Sequence, residues 1–182
     1  MLKATDNPPA RPPGIASVAE LAGDWWVGHT KSRAEKAFAW DLLARDVPHY
    51  LPLAVREAVW GGRKRKVWVP LFPGYVFFCG GEGVRYAAMT TNRLCQVIAV
   101  PRREAFVEQL AAVERAVDAG LTLEHYPFAV AGRRCRVRSG PLMGLAGTIV
   151  RDQDKSRLVL EVAILGQGAA LEVAADLLEP LD

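Results

Sequence analysis

The sequence has few of the residues from which metal sites, redox centres and disulfide-bonded scaffolds are built. Its three cysteines, Cys79, Cys95 and Cys135, are widely separated, and no pair has the spacing of a zinc knuckle or a redox dithiol. The three histidines are equally scattered. We therefore expect reduced thiols, no metal and no cofactor.

Long apolar runs are also absent. The longest fall far short of the roughly 18–20 residues needed to cross a bilayer. The first twenty residues hold four prolines and no apolar stretch of the kind found in signal peptides. These absences predict a cytoplasmic protein without membrane contact.

The sequence also lacks the usual marks of an enzyme. It has no Ser/His/Asp or Cys/His set at suggestive spacing, and no glycine loop that would bind phosphate after a strand. We therefore predict no catalytic residues and no enzymatic activity.

What is present is the composition of a folded chain. Hydrophobic residues make up 51% of the 182 residues and charged residues 24%, as in typical globular proteins. The net charge of +3 is too small to indicate a general polyanion binder. The basic excess lies in residues 23–122, with 14 basic and 10 acidic groups, whereas residues 131–182 hold seven of each.

The patterns predict two domains. Residues 1–22 are rich in proline and have no apolar face, which predicts a disordered leader. Residues 23–121 alternate strand and helix signals in the order β-α-β-β-α-β-α, an order that resembles a ferredoxin-like α/β sandwich. Residues 122–130 have no clear period and are interpreted as a linker. Residues 131–182 hold short, turn-bounded apolar runs, which predict a small all-β barrel and hence an α+β protein.

Local signals place the elements of the first domain. Ser32 to Glu35 fit a capping box at the start of a helix whose apolar stripe is Ala34, Phe38 and Leu42. The other predicted elements are strands at Trp25–Thr30, His49–Val55, Val67–Cys79 and Gln96–Val100, and helices near Val84–Met89 and from Pro101 to Gly120.

A basic run follows a predicted hairpin tip at Gly61-Gly62. It consists of Arg63, Lys64, Arg65 and Lys66. Such a run could contact nucleic-acid phosphates, with an affinity that falls as salt rises. It could equally be a solvated hairpin tip, and both interpretations stay open.

Two segments resemble a known family. Pro70-Leu71-Phe72-Pro73-Gly74-Tyr75-Val76-Phe77 resembles the Phe-Pro-Gly-Tyr strand of the NusG N-terminal (NGN) domain. Residues 132–150 resemble a KOW motif, whose candidate motif residues are Gly140, Pro141, Gly144 and Gly147. In this order and separation they resemble bacterial NusG over residues 24–181. The resemblance implies an NGN domain at 23–121 and an SH3-like KOW barrel at 131–182.

The resemblance also implies a function. Proteins of this family are non-enzymatic transcription elongation factors that dock on the clamp helices of the largest catalytic RNA polymerase subunit. They modulate pausing and termination or antitermination, and their KOW barrel recruits Rho or ribosomal protein S10. A monomer is expected, with contact to non-template DNA or nascent RNA.

The polymerase-docking residues are expected around the Pro-Gly break. Pro73 lacks a backbone donor and Gly74 weakens strand pairing, so Phe72 and Tyr75 could bracket a kink that opens an apolar pocket. The alternative is that these rings fill the core. The candidate docking set is Trp25, Trp26, Phe72, Pro73, Gly74 and Tyr75.

The barrel departs from the family pattern at its candidate partner-binding residues, Ile164, Leu165 and Gly166, which are expected at its central strands. Leu165 stands where housekeeping members have an aromatic residue, and Gln167 where they have an arginine. This favours a specialised NusG paralogue similar to RfaH or LoaP. The alternative function is an RNA- or ribosome-binding KOW module that does not act on polymerase.

Overall fold

The structure is a computed structural model and describes residues 7–128, 131–152 and 155–181. Parts of the predicted leader (1–6) and linker (129–130), and residue 182, lie outside the described residues. The chain divides into two compact units, Met1–Arg103 and Glu104–Asp182.

The first unit is built on a four-stranded antiparallel sheet. Its elements are, in chain order, β1 (Trp25–Thr30), α1 (Glu35–Leu43), β2 (His49–Tyr50), β5 (Tyr75–Cys79), α2 (Glu82–Met89) and β6 (Leu94–Ala99). The strands lie in the sheet in the order β2-β5-β1-β6. The first and last strands lie side by side in the sheet, as in a ferredoxin-like sandwich, so the fold predicted from the order of elements is confirmed.

One face of this sheet packs on α1. Trp26 and Phe78 lie on that face because successive side chains of a strand point to opposite sides. Phe38 of α1 meets Phe78 edge to face, with ring centroids 5.9 Å apart. A Cβ added at Gly28 would lie 3.0 Å from the Phe38 ring, so this position needs a glycine for the helix to pack closely. The predicted stripe is confirmed at Phe38 and Leu42, both buried.

The predicted capping box at the start of α1 is wrong. The residue at the N-cap is Ala34, which makes no side-chain capping bond, and Arg33 before it has a positive φ of 58°. Glu35 is the first helical residue, and its carboxylate accepts a hydrogen bond from the Gly74 amide. The Glu35 carboxylate therefore makes a long-range contact with Gly74 and not the local capping contact that the sequence pattern predicted.

Two predicted strands are each divided in the structure. The run predicted at 49–55 ends at Tyr50 and resumes as β3 (Leu53–Trp60), and the run predicted at 67–79 divides into β4 (Arg63–Pro70) and β5. β3 and β4 form a separate two-stranded sheet. Its turn is Gly61-Gly62, with φ values of 56° and 75°, as a two-residue type I′ hairpin requires.

Residues 7–22, for which a disordered leader was predicted, pack on the first unit. Val18 is fully buried and Leu21 is 5% exposed. The Leu51 amide donates to the Ala10 carbonyl over 2.7 Å. These contacts depend on isolated apolar residues and backbone groups, which a search for amphipathic periodicity does not detect.

The second unit contains a six-stranded antiparallel sheet. Its strands are β7 (Glu124–Tyr126), β8 (Arg133–Val137), β9 (Ala146–Asp152), β10 (Lys155–Val162), β11 (Gln167–Glu172) and β12 (Leu178–Pro180). They lie in the order β12-β8-β9-β10-β11-β7. Its core includes Leu145, Leu158 and Val162. The small β domain predicted for this part of the chain is confirmed.

Helix α3 (Arg103–Asp118) differs from expectation in its surroundings. Its apolar residues Phe106, Leu110 and Val113 are buried as predicted. Yet all of it beyond Arg103 groups with the second unit, where the Ala163 amide donates to Gln109 over 3.1 Å. Within the predicted linker, β7 pairs with β11.

Candidate functional site

Residues 72–75 form a tight turn at the start of β5. The Tyr75 amide donates to the Phe72 carbonyl over 3.1 Å, which closes the turn. Pro73 occupies its second position and Gly74, with φ of 86°, its third. Proline fixes φ near −65° and glycine tolerates the positive φ, so this Pro-Gly pair favours a type II turn.

The Pro-Gly turn (residues 72–75) is held from two sides by elements distant in sequence. The Gly74 amide donates to Glu35 Oε1 over 2.7 Å, and the Glu35 side chain is almost fully buried. The Thr30 amide at the end of β1 donates to the Gly74 carbonyl over 2.8 Å. Both polar groups of the Gly74 backbone are therefore engaged, and the turn is fixed to α1 and β1.

The turn presents two rings at the surface. Tyr75 and His29 are register partners on β5 and β1, and both are half-buried. Their rings stack at a centroid distance of 5.0 Å with an interplanar angle of 22°. Together with exposed Pro73, they make a small, rigid and partly aromatic surface.

The other members of the predicted docking set are in the core. Trp25 and Phe72 are each 1% exposed, and Phe72 packs edge to face on Phe77 at 5.9 Å. Trp26 is 7% exposed, and its indole N–H donates to the Gly80 carbonyl. The predicted pocket between Phe72 and Tyr75 is therefore not open in this structure. His29, which the docking set did not include, is placed there by its register with Tyr75.

The basic run lies on the outer part of the β3–β4 hairpin. All four of its side chains are exposed, and strand alternation puts Arg63 and Arg65 on one face and the two lysines on the other. Two tryptophans accompany them, Trp60 at 60% and Trp68 at 43% exposure. Each pair of cations therefore has an exposed tryptophan beside it, which the prediction from charge alone did not include.

Three glycines of the KOW-like segment lie where a side chain would be strained or would clash. Gly140 and Gly144 have φ values of 85° and 87°. Gly147 lies in β9, where an added Cβ would come within 2.7 Å of the Val159 carbonyl oxygen of β10. Pro141 is exposed in the turn between the two positive-φ glycines.

The candidate partner-binding residues of the barrel were expected in its central strands, but the structure places them outside those strands. Ile164 and Leu165 belong to a short 3-10 turn between β10 and β11, and Gly166 ends that turn with φ of 61°. Ile164 and Leu165 are half-buried and Gly166 is exposed. The chain forms a turn here and not a continuous strand, and Gly166 adopts the left-handed conformation that ends such a helical turn.

Three titratable groups of the first unit have pKa values that are shifted mainly by burial. Burial lowers the pKa of His49, whose two ring nitrogens lie 3.3 Å from the Val47 and Pro9 carbonyl oxygens. Burial raises the pKa of the Cys79 thiol to about 11, which keeps it protonated and unreactive at neutral pH. Burial also lowers the pKa of Lys36.

In the described part of the chain, no group of three or more His, Cys, Asp or Glu side chains is placed to hold a metal ion. Of the helices within the described ranges, none is both long and apolar enough to span a membrane.

Comparisons with known proteins bear on the same region. A family model described as "Transcription termination factor nusG" matches residues 23–114. The chain is similar to the structure described as "Domain interaction in Thermotoga maritima NusG", at 18% identity over 87% of this chain and 97% of that chain, with a TM-score of 0.50. It also matches a chain of the MjSpt4:Spt5 complex at 16% identity over 87% and 97%, but a TM-score of 0.26 supports no inference. No curated protein sequence matches the chain.

The Thermotoga maritima likeness, at 18% identity, concerns the fold. The family match is more informative, because residues 23–114 are just over half of the chain and include the sheet, the hairpin and the Pro-Gly turn. On this match, the chain belongs to the NusG family.

Proposed function

We propose that the chain is a non-enzymatic, cytoplasmic transcription elongation factor that docks on the clamp helices of the largest catalytic RNA polymerase subunit. In this proposal residues 23–121 act as the polymerase-binding domain and residues 131–182 as a KOW domain that recruits a further partner. The observation that supports it most is the Pro-Gly turn, which lies inside the family-matched region and presents Tyr75 at the surface.

The turn suits a docking role because it is already ordered. Hydrogen bonds from Gly74 to Glu35 and from Thr30 to Gly74 fix its backbone before any partner arrives. A preorganised surface binds with a smaller loss of conformational entropy than a flexible one. Half-exposed aromatic rings are also the side chains that most often dominate binding energy. We therefore assign docking to Pro73, Gly74 and Tyr75 with His29, and assign Trp25, Trp26 and Phe72 to the support beneath them.

The hairpin and the barrel supply the remaining proposed contacts. Arg63–Lys66 on the hairpin are proposed to contact non-template DNA or nascent RNA. The turn at Ile164–Gly166 is proposed to contact the barrel's partner, with Rho and ribosomal protein S10 as the family candidates. Leu165 and Gln167 lack the aromatic ring and the guanidinium of housekeeping members, and this favours a specialised paralogue that acts in antitermination.

Equilibrium binding to a reconstituted bacterial elongation complex tests the docking proposal. We expect Tyr75→Ala to weaken binding by about tenfold or more, because a central aromatic anchor commonly contributes about 2 kcal/mol. Tyr86→Ala is the matched control, since Tyr86 is a 70% exposed tyrosine on α2. Thermal unfolding of each variant verifies that it is folded.

Equal binding by wild type and a folded Tyr75→Ala variant would contradict docking through the turn. Binding to naked RNA with none to polymerase would instead favour the RNA- or ribosome-binding alternative. This alternative is tested because β8 exposes three arginines, Arg133, Arg134 and Arg136.

A further inference from the structure

The stacked rings at the Pro-Gly turn lie at one end of a larger aromatic surface. Register pairs His29 with Tyr75 and Val27 with Phe77 across β1 and β5, and Tyr50 of β2 with the same Phe77. Cross-strand partners point to the same side of a sheet, so these side chains share the side opposite α1. We call this side, made of Trp25, Val27, His29, Tyr50, Tyr75 and Phe77, the aromatic face. His29 and Tyr75 are half-buried, and the other four are at most 1% exposed.

Residues 7–22, which we call the strap, are attached next to this face where they enter β1. The Arg103 guanidinium donates to the Leu21 carbonyl over 2.9 Å and to the Gly23 carbonyl over 3.0 Å. Arg103 also lies close enough to Cys79 for its charge to act on the thiol. Cys79 is the register partner of Trp25, so this end of the strap lies on the side of the aromatic face.

The other end of the strap lies along the outer edge of β2. The amide of Leu51, which directly follows β2, donates to the Ala10 carbonyl over 2.7 Å. The Pro9 carbonyl oxygen lies 3.3 Å from Nε2 of His49. Since β5 lies between β1 and β2 in the sheet, the strap spans all three strands, and Val18 between its two ends is fully buried. Trp25 and Tyr50 of the aromatic face therefore adjoin the two ends of the strap.

The strap is held by separate contacts and not by a continuous strand ladder. Its four prolines lack the backbone N–H that pairing with β2 requires, so the strap offers mainly carbonyl oxygens to that edge. Segments that are held by few backbone bonds and isolated apolar residues open at a lower free energy than the centre of a sheet. We therefore expect the strap to detach while β1, β2 and β5 stay folded.

We propose that the strap is an autoinhibitory cover, whose release exposes Trp25 and Tyr50 and extends the docking surface that begins at Tyr75. With the strap in place these two rings support the turn, and after its release they contact the partner. This inference rests on the docking function proposed for the Pro-Gly turn and concerns the regulation of the same site. The strap precedes residues 23–114, so it lies outside the part of the chain that matches the family model.

The proposal has a thermodynamic consequence. A partner that binds the uncovered aromatic face has a higher affinity for the open chain than for the closed one. Its apparent affinity is then reduced by the fraction of chains in which the strap is open. Any substitution that loosens the strap without unfolding the sheet should therefore strengthen binding.

Hydrogen exchange of the full chain, followed by NMR without polymerase, measures release of the strap. We expect the Leu51 amide to exchange about tenfold or more faster than the Val27 amide in the central strand β1. Val18→Ser should accelerate exchange at Leu51 by a further factor of about ten and leave Val27 unchanged, because it removes buried apolar contacts of the strap alone. Ala19→Ser is the matched control, since Ala19 is the exposed neighbour of Val18.

Equilibrium binding to the elongation complex measures the consequence for docking. We expect Val18→Ser to bind about tenfold more tightly than wild type and Ala19→Ser to bind as wild type does. Arg103→Gln, which removes the two guanidinium bonds to the strap, provides a second loosening variant, with the exposed neighbour Arg102→Gln as its control. Thermal unfolding verifies that each variant is folded.

Two results would overturn the proposal. These are exchange of Leu51 and Val27 at the same rate in wild type, and equal binding by wild type, Val18→Ser and Arg103→Gln. If Tyr75→Ala weakens binding while the strap variants bind like wild type, docking through the turn stands and the strap proposal alone fails. If neither wild type nor any strap variant binds polymerase, the proposed function fails and the regulatory role of the strap fails with it.

Discussion

At the scale of single residues, Glu35 and His29 decide the geometry of the proposed docking surface. The buried Glu35 carboxylate receives the Gly74 amide, and His29 supports the Tyr75 ring by stacking. Both contacts join residues about 40 or more positions apart in sequence. The sequence identified the Pro-Gly pair, because its turn preference is local, but gave Glu35 a local role as part of a capping box. Burial of Trp25 and Phe72 also depends on tertiary packing, which strand alternation alone cannot assign.

Removal of the Glu35 carboxylate should destabilise the first unit. Glu35→Ala leaves the Gly74 amide without its charged acceptor, and we expect a loss of about 1.5–3 kcal/mol in the free energy of unfolding. Urea denaturation measures this. The control is Glu82→Ala on α2, whose exposed pair with Arg85 should contribute less than about 1 kcal/mol. Equal stability of the two variants would contradict a structural role for the bond from Gly74 to Glu35.

His49 should make stability depend on pH. Its pKa is lowered by burial in the folded state, so the unfolded chain binds the proton more readily. The contribution of neutral His49 to the free energy of unfolding is therefore complete above the unfolded pKa of about 6.5. It is lost as the pH falls from there through the folded pKa. We expect wild type to lose more stability than His49→Gln between pH 7 and pH 5, as measured by urea midpoints. Identical pH profiles of the two proteins would contradict this effect of His49 on stability.

At the scale of elements, the β3–β4 hairpin is the part of the first unit with the most exposed cations and tryptophans. Its two-residue glycine turn was predictable, because only glycine and a few polar residues accept two successive positive φ values. The kink at Pro73-Gly74 was predictable from the same kind of local preference. The division of the predicted runs 49–55 and 67–79 between two sheets was not, because apolar composition continues along each run while the pairing partner changes. The helices were placed well, with ends within a few residues, since buried apolar positions recur at helical spacing.

Neutralising the hairpin should reduce the salt dependence of binding to the elongation complex. Each phosphate contact adds nearly one unit to the slope of log affinity against log salt, so changing Arg63, Lys64, Arg65 and Lys66 to glutamine should lower that slope by roughly 3. The control changes Arg133, Arg134, Arg136 and Arg138 instead, an equal number of exposed cations in the second unit. An unchanged slope in the hairpin variant would mean that these cations remain solvated.

At the scale of the whole molecule, the order of elements predicted the ferredoxin-like topology, and the turn-bounded runs predicted the small β domain. The limits between units were harder to place. Contacts divide the chain after Arg103, whereas the apolar periodicity of α3 shows only that one of its faces is buried and not what covers that face. The packing of residues 7–22 was not predicted, because single buried residues such as Val18 produce no periodic apolar pattern.

The central claim is that the Pro-Gly turn contacts the polymerase clamp helices. Site-specific photocrosslinking tests it most directly, with p-benzoylphenylalanine placed at Tyr75 in one sample and at Tyr86 in another. We predict that position 75 crosslinks to the clamp helices of the largest catalytic subunit and that position 86 does not. Adducts at the clamp helices from position 86 alone, or from neither position in a complex that has formed, would contradict the account.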